Sequence, residues 1–378
     1  MSVRKSWDYE AALTVDSFEG WKLARNVFVA SHVFYDSIFY DYGVSFIMRV
    51  NICIKQDHAQ VFSSPTSPLP PRFLFYMRNK FFKRLVPINY SAYIMVRLKE
   101  MLRGKVPDSV LNKLPTSFDI VGSREGAVAI VEVSEDVKEY ERMIGEAIMH
   151  IHRNVRVVLA KESAREGIFR TRRYRVIAGS GSTEVIHKEH GYRLKLDPTK
   201  VYFSPREATE RLRVASQVAP GETVMVFFAG VGPYALAIAK RQPRVQKIIA
   251  IEINPKAYDY LVENIRLNKL EGLIEPVLGD VKKEASRWFG LCDRVVMPLP
   301  RGAYMFLDEA YNCLKPQGGV IHFYYWSGED DLYSKAYYLL ERNANLHGFC
   351  CMLLAARKVS PYAPRVYKVA VDVLAARA

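Results

Sequence analysis

The fold is decided by the stretch Val224-Met225-Val226-Phe227-Phe228-Ala229-Gly230-Val231-Gly232-Pro233, where an apolar strand runs directly into a turn that contains two glycines. Residues 234–240 continue with helical spacing, so the turn joins a strand to a helix. Glycines at such a turn let a ligand lie against the backbone. A lone glycine pair also occurs in nucleotide-binding dehydrogenases, so other residues must identify the ligand class. The residues predicted to contact a cofactor here are Phe228, Ala229, Gly230, Gly232 and Pro233.

Polar residues follow the glycines at the spacing of an adenosine site. Glu252 ends the next apolar strand roughly 20 residues past the glycines, where a carboxylate reaches the hydroxyls of a bound ribose. An acidic helix cap is the structural alternative for Glu252. Asn254 follows closely, and Asp280 ends the third strand, where it can accept a hydrogen bond from an adenine amine. The third glycine of a dehydrogenase is missing, so the spacing is that of a class I methyltransferase and predicts S-adenosylmethionine as the cofactor.

Apolar strands alternate with helical stretches after residue 221, which is typical of a parallel sheet with crossover helices. Further upstream, residues 127–133 resemble a strand and residues 137–151 carry apolar side chains at helical spacing. The predicted fold class is therefore α/β. A Rossmann-like class I methyltransferase sheet domain is expected over residues 201–378, and a smaller α+β region for RNA binding and base activation over residues 72–200. Residues 1–71 are expected to form either an N-terminal extension or a small accessory segment, and they end in a Pro/Ser linker.

The charge of the chain favours a polyanionic partner. Its 378 residues carry a formal net charge of +14 and give a pI near 9.4, as expected for a protein that binds nucleic acid or an anionic membrane surface. Basic residues crowd between positions 154 and 213, with Tyr174 and Tyr192 interleaved. This region is either an RNA contact, in which arginines bind phosphates and aromatic rings stack on bases, or a solvated basic face.

Cysteines and apolar stretches bear on metal binding and location. The five cysteines form an odd set without metal-ligand spacing, so no metal site is predicted and a reduced, cytoplasmic compartment is expected. The most apolar N-terminal stretch, residues 27–48, is interrupted by Asp36 and Asp41. No membrane span is therefore predicted.

A second motif, residues 202–211, is predicted to open a helix. Ser204 is the expected N-cap and Glu207 is expected to close a capping box, which gives Glu207 a structural role. Glu210 has no such role, and a carboxylate in a partly desolvated site can abstract a proton from a weakly acidic ring nitrogen. Glu210 is therefore the candidate general base. The alternative is an i,i+4 ion pair between Arg206 and Glu210 on a solvent face.

Several motifs in fixed order resemble the tRNA guanine-37 N1-methyltransferase family of the archaeal and eukaryotic type. The resemblance covers the chain from about residue 98 to the C-terminus. It implies tRNA as the partner and methyl transfer from S-adenosylmethionine to N1 of the guanine 3′ of the anticodon. The motifs are residues 117–122, 186–191, 202–211 and 228–233, the pair Asn254-Pro255, the element Leu299-Pro300 and the tail 362–367.

The resemblance also implies roles for single residues. Glu210 falls on the family's proposed general base, and Arg170 on the arginine thought to steady the negative charge that develops on guanine O6. Tyr202 lies at the family's aromatic site position. This chemistry is coherent, because the N1 proton must leave before or during methyl transfer and a preplaced cation best stabilises the resulting oxyanion. The residues predicted to bind the substrate are Tyr202, Arg206, Pro298, Leu299 and Pro300.

Other functions stay open at this point. A related wyosine-pathway enzyme transfers the aminocarboxypropyl group of the same cofactor, and a silent tRNA-binding protein would keep the scaffold without catalysis. A small-molecule methyltransferase would leave the basic region unexplained. Many family members have aspartate where Val226 stands and asparagine where Pro298 stands, and some branches also methylate the wyosine precursor 4-demethylwyosine. The chain is expected to act as a monomer, and neither the tRNA set nor the role of residues 1–71 follows from the sequence.

Overall fold

The computed structural model describes residues 24–30, 33–39, 50–55, 58–63 and 98–377. The chain divides into two compact units, Met1–Ile88 and Asn89–Ala378. In the first unit, β1 pairs antiparallel with β2, and β3 pairs antiparallel with β4. The Pro/Ser linker and the boundary expected near residue 71 lie outside the described residues, so they stay predictions. The strands are β1 (Ala24–Ala30), β2 (Val33–Phe39), β3 (Val50–Lys55) and β4 (His58–Ser63).

The second unit begins with a four-stranded sheet in the order β5-β6-β7-β8. Its two central strands, β6 and β7, run parallel, and helix α2 connects them. Ile144 and Ile148 of α2 are fully buried against this sheet. The strand and the helix predicted within residues 127–151 are thus confirmed. The elements are α1 (Asp108–Leu111), β5 (Phe118–Ser123), β6 (Gly126–Val131), α2 (Glu141–Ile151), β7 (Val155–Lys161) and β8 (Tyr174–Gly179).

A seven-stranded sheet forms the centre of the second unit, in the order β13-β12-β11-β14-β15-β17-β16. Residues that are fully buried pack on both of its faces, as expected for a parallel sheet covered by helices. The strands are β11 (Thr223–Val226), β12 (Lys247–Glu252), β13 (Ile274–Leu278), β14 (Arg294–Met297), β15 (Gly318–Gly328), β16 (Phe349–Ala363) and β17 (Val366–Arg377). The helices are α3 (Ala208–Ala215), α4 (Pro233–Arg241), α5 (Pro255–Leu267), α6 (Val281–Glu284), α7 (Leu307–Cys313) and α8 (Ser334–Leu346).

The Rossmann-like class I methyltransferase fold is confirmed, although the sheet is not parallel throughout. Strands β11 to β15 pair in parallel, whereas β17 runs antiparallel to both β15 and β16. A tight turn between Ala363 and Val366 joins β16 to β17, and antiparallel neighbours need no crossover helix. The alternation of strands and helices therefore predicts the first five strands but not the last two.

The hairpin of β9 (Val185–Glu189) and β10 (Tyr192–Leu196) is fixed to the large sheet by a buried amide. The Asn264 side chain of α5 accepts from Lys195 N at 2.6 Å and donates to Lys195 O at 3.0 Å. It also donates to Val231 O in the glycine turn at 3.0 Å. Since Asn264 has no exposed surface, these bonds satisfy a buried polar group and tie the hairpin to the turn.

No helix within the described part of the chain has the length and hydropathy needed to cross a membrane. In the same residues, no group of three or more His, Cys, Asp or Glu side chains is arranged to hold a metal ion.

Candidate active site

The two glycines of the turn after β11 have different roles. Gly230 has φ +58°, and a Cβ built on it meets no atom within 4 Å, so its backbone borders open space. Gly232 has φ +91°, and a Cβ there would lie 2.6 Å from Leu261 Cδ1 and 2.8 Å from Leu236 Cδ1. Gly232 therefore permits the packing of α4 against α5, while Gly230 leaves room for a ligand.

Glu252 ties the turn to the end of β12. Its Oε2 accepts from Gly230 N at 2.7 Å and its Oε1 accepts from Asn254 N at 2.7 Å. Glu252 is 8% exposed, and burial raises its pKa although the backbone N–H groups oppose this shift. The alternative that Glu252 caps a helix is wrong, because Asn254 caps α5 by accepting from Lys256 N at 3.0 Å. The two carboxylate oxygens keep further acceptor capacity for hydroxyl donors.

The other predicted cofactor residues lie at the same edge of the sheet. The carboxyl ends of parallel strands meet at one edge, which brings together the segments after β11, β12, β13 and β14. Asp280 caps α6 by accepting from Lys282 N at 3.0 Å. The Phe228 ring packs edge-on against the Phe306 ring, with 4.9 Å between the ring centres. After β14, Leu299 N donates to Met297 O at 2.8 Å in a tight turn that ends at the buried Pro300. A buried carboxylate, a second half-buried one and open space over Gly230 together fit an adenosine-type group.

Glu210 does not lie on a solvent face. It is 4% exposed, and its Oε1 accepts from Arg213 Nη2 at 2.7 Å and from the Tyr324 hydroxyl at 2.6 Å. Tyr324 in turn accepts from the Tyr234 hydroxyl at 3.1 Å, and Tyr234 is the second residue of α4. Burial raises the pKa of Tyr324 well above its ordinary value, so its hydroxyl stays a donor. This chain of hydroxyls connects Glu210 to the helix that follows the glycine turn.

Three expectations for residues 202–211 are therefore wrong: that Glu210 has no structural role, that Arg206 pairs with Glu210, and that Ser204 and Glu207 form a capping box. Glu210 has structural partners, and Arg206 pairs with Asp119 instead of with Glu210. The capping box is absent from the described helix start, because the Ser204 side chain makes no cap bond and one 3-10 turn, Pro205–Glu207, precedes α3. Glu207 instead accepts from Lys368 Nζ at 2.9 Å. A buried lysine needs a counter-charge more than a helix end needs a cap, since water can satisfy exposed helix N–H groups.

Arg170 and Tyr202 meet in one cluster beside this ion pair. The Arg170 guanidinium lies 5.0 Å from the centre of the Tyr202 ring, and Arg165 lies 4.1 Å from it. Burial lowers the pKa of Arg170, and the negative charge of Glu207 partly opposes that shift. Burial likewise raises the pKa of Tyr202. The structure thus places the predicted aromatic residue and the predicted cation in direct contact, with φ +53° at Arg170.

Two charged residues of β17 complete the site, and sequence reasoning did not find them. Lys368 is 4% exposed and holds Glu207, with its ammonium 4.7 Å from the Tyr324 ring centre. Asp372 is 1% exposed and accepts from Arg213, the residue that pairs with Glu210, while His322 Nδ1 lies 2.8 Å from its Oδ1. The sequence did contain a signal for them, a lysine and an aspartate in an otherwise apolar strand. Such charges are buried only when they are paired, so they indicate charged partners in the core.

Protein-family models match most of the second unit. Residues 185–352 match the TRM5/TYW2 methyltransferase domain, and residues 98–183 match the TYW2 N-terminal domain. The tRNA (guanine(37)-N(1))-methyltransferase Trm5b of Pyrococcus abyssi is 44% identical over 267 residues, which cover 71% of this chain and 77% of that protein. The crystal structure of wild-type Trm5b from Pyrococcus abyssi matches with a TM-score of 0.65 at 34% identity, covering 93% of this chain and 91% of that one.

Two further solved structures are complexes, one with tRNA and one with MeSAdo. The complex structure of aTrm5 and tRNALeu matches with a TM-score of 0.64 at 33% identity, covering 85% of this chain and 91% of that one. The structure of P. horikoshii TYW2 in complex with MeSAdo matches with a TM-score of 0.62 at 28% identity, covering 75% of this chain and all of that one.

Proposed function

The chain belongs to the tRNA (guanine-37-N1) methyltransferase family, and we propose that it transfers the methyl group of S-adenosylmethionine to N1 of guanine 37 in tRNA. The observation that carries the proposal is the placement of Arg170, Tyr202 and Glu210. Arg170 lies over the Tyr202 ring, and the hydroxyls of Tyr324 and Tyr234 connect Glu210 to the helix after the glycine turn. This placement supports a reaction that needs a cation, an aromatic ring and a carboxylate near the cofactor.

S-adenosylmethionine supplies an activated methyl group on a sulfonium. The residues proposed to hold its adenosine end are Glu252 and Asp280, which accept from the ribose hydroxyls and the adenine amine, and Gly230, over which the backbone is open. Phe228 and Pro298 border the same edge of the sheet. Phe228, Ala229, Gly232, Pro233 and Asn254 shape this turn, and their direct contact with the cofactor stays a prediction.

Glu210 is proposed to accept the N1 proton of the guanine. Arg213 donates to both carboxylate oxygens, from Nη2 to Oε1 at 2.7 Å and from Nε to Oε2 at 3.0 Å, and Tyr324 donates to Oε1. Together they fix the direction of the carboxylate. Arg357 lies 3.8 Å from Glu210 Oε2 and is 47% exposed, which makes it the most exposed of these partners. The base is proposed to reach Oε2 from the side of Arg357, because Arg213 is only 17% exposed. A positioned carboxylate of this kind contributes about 10²- to 10⁴-fold to a proton-transfer step.

Arg170 is proposed to stabilise the oxyanion that forms on guanine O6. The carboxylate that interacts with it, Glu207, is paired with Lys368, and a second cation, Arg165, lies in the same cluster. The cluster therefore carries excess positive charge, which favours a new negative charge beside Arg170. Tyr202 is proposed to stack on the guanine from the same side, and Arg206, Leu299 and Pro300 to border the base.

Transfer RNA is proposed as the partner because the basic face surrounds this cluster. Arg165, Arg172 and Arg173 lie on or next to the β7–β8 loop that carries Arg170. Affinity for tRNA should therefore fall steeply with salt. The reduced cytoplasmic location and the monomeric state belong to the same proposal.

The function has two variants. Aminocarboxypropyl transfer of the wyosine pathway is the alternative, because residues 98–183 match the TYW2 N-terminal domain and the tRNA(Phe) (4-demethylwyosine(37)-C(7)) aminocarboxypropyltransferase of Pyrococcus horikoshii is 30% identical over 279 residues. A second methylation, of the wyosine precursor 4-demethylwyosine, is proposed from the family resemblance, and Pro298 offers no side-chain hydrogen bond that would restrict the site to a guanine edge.

The experiment is product analysis of a purified reaction. Undermodified tRNA is incubated with labelled S-adenosylmethionine, digested, and its nucleosides are identified by mass spectrometry, with Glu210→Gln as the control variant. The proposal predicts 1-methylguanosine from wild type and far less from the variant. An aminocarboxypropyl product would establish the alternative. If the protein bound tRNA but no modified nucleoside formed, it would be a silent tRNA-binding protein. A parallel incubation with tRNA that carries the precursor tests the second methylation.

A further inference from the structure

A stacked aromatic pair lies where the β16–β17 hairpin meets the end of β15. The Trp326 and Tyr362 rings have centroids 3.9 Å apart and an interplanar angle of 22°. Trp326 is half-buried, whereas Tyr362 is 60% exposed. Trp326 thus covers one face of the tyrosine ring and leaves the other face to solvent. Nothing in the proposed chemistry uses this pair, although Tyr362 begins one of the motifs singled out in the sequence.

The pair extends the cluster that holds the target base. The Arg170 guanidinium lies 5.9 Å from the Trp326 ring centre and 5.0 Å from that of Tyr202. Arg165 covers Tyr202 at 4.1 Å. Arg170 thus connects the Tyr202 ring, which is proposed to stack on the guanine, with the Trp326–Tyr362 pair, whose outer ring is exposed.

The chemistry around Tyr362 fits a nucleotide. Three cations on the same two strands or their turn, Arg357, Lys358 and Arg365, are at least 39% exposed. Their carboxylate partners include Glu210 for Arg357 at 3.8 Å, and Glu329 for Lys358 at 3.9 Å and for Arg365 at 3.5 Å, so a phosphate would compete with exposed ion pairs. Lys358 lies over the Tyr367 ring at 3.9 Å, so a second ring and cation stand next to the first. A stacked ring with one open face, surrounded by cations, is the arrangement by which proteins bind unpaired bases and their phosphates.

We propose that the outer face of Tyr362 stacks on an unpaired nucleobase that flanks the target guanine in the same tRNA loop. The inference rests on the proposed function, which supplies the RNA. Enzymes that act on a base must take it out of its stack, and a ring that replaces a lost neighbour lowers the cost of that step. Because a ring face recognises any base, Tyr362 contributes affinity and loop geometry without selecting a particular flanking nucleotide.

The test compares four proteins in binding to undermodified tRNA with 2-aminopurine on either side of nucleotide 37. They are wild type, Tyr362→Ala, Tyr362→Phe and a matched control, Tyr338→Ala. Tyr338 is 57% exposed on α8 and takes no part in the site. Thermal unfolding of each variant shows that it is folded, and single-turnover methylation at saturating tRNA measures the chemical step separately.

Tyr362→Ala is expected to weaken tRNA binding by about 5- to 150-fold and to abolish quenching of one 2-aminopurine, because one base loses its stacking partner. Tyr362→Phe and Tyr338→Ala should bind and quench like wild type, and the chemical step should change less than the affinity. The inference is overturned if Tyr362→Ala binds and quenches like wild type, or if Tyr362→Phe is as impaired as Tyr362→Ala. Quenching by a wild-type enzyme that fails to methylate guanine 37 would refute the proposed function and leave the stacking site intact.

Discussion

Alanine at the two glycines of the cofactor turn should lower both stability and cofactor affinity, but the variant with the larger loss should differ between the two quantities. Gly230→Ala places a methyl group in open space at φ +58°, so the fold bears only the backbone strain, about 1–2 kcal/mol. Gly232→Ala bears similar strain and also drives Cβ to 2.6 Å from Leu261 Cδ1, which adds about 1–3 kcal/mol of overpacking. At about 2–4 °C per kcal/mol, Tm should fall by about 2–8 °C for Gly230→Ala and by about 4–20 °C for Gly232→Ala.

Cofactor affinity should show the reverse order. The methyl group of Gly230→Ala occupies the space proposed for S-adenosylmethionine, so affinity should drop by more than about tenfold, or about 1.4 kcal/mol. Gly232→Ala, measured below its Tm, should lose less affinity because its methyl group faces α5. Calorimetric titration with S-adenosylmethionine and scanning calorimetry supply both quantities. If Gly230→Ala bound the cofactor as wild type does, the open space over Gly230 would not be the cofactor site.

Three further predictions concern charged groups of the site and the core. Asp372→Asn removes the buried negative charge that pairs with Arg213, so it should destabilise the fold by about 3–5 kcal/mol. Scanning calorimetry measures this loss, and an unchanged Tm would contradict it. Arg170→Ala should slow single-turnover methyl transfer by about 10²- to 10³-fold with a smaller change in tRNA affinity, and a wild-type rate would remove the oxyanion role. Burial alone would raise the pKa of Glu189, but hydrogen bonds led by those of Arg211 outweigh it and lower the pKa to about 2. Because this folded-state pKa lies below the ordinary value of 4.5, the stabilisation from the Glu189–Arg211 pair is complete above about pH 4.5 and is lost towards pH 2. Between about pH 4.5 and pH 2, Tm of wild type should therefore fall more steeply than Tm of Glu189→Gln. Parallel curves would show that the Glu189–Arg211 pair does not contribute this stabilisation.

The cofactor turn was predictable from the sequence because its determinants are local. A strand, two glycines and an acid 22 residues after Gly230 specify one turn and one neighbouring strand end. The spacing of the glycines did not show that Gly230 and Gly232 have different roles, because only the packing shows that Gly232 faces Leu236 and Leu261. The antiparallel end of the sheet was not predictable either, because the order of β15, β17 and β16 depends on long-range pairing.

The surroundings of Glu210 were mispredicted for a related reason. A capping box and an i,i+4 pair are patterns within one helix turn, and both are compatible with the sequence. The partners that prevail are distant: Tyr324 lies 114 residues from Glu210, and Lys368 lies 161 residues from Glu207. Buried charges select partners across the whole core, since an unpaired one is costly, and local spacing contains no information about them.

The central claim is that the Glu210 carboxylate takes a proton from guanine N1. The most direct measurement is the single-turnover rate of methyl transfer to tRNA by Glu210→Gln at saturating cofactor, beside wild type and with tRNA affinity measured in parallel. Our account predicts a rate at least about 100-fold lower with tRNA still bound. A variant that methylates at the wild-type rate would show that another group removes the proton.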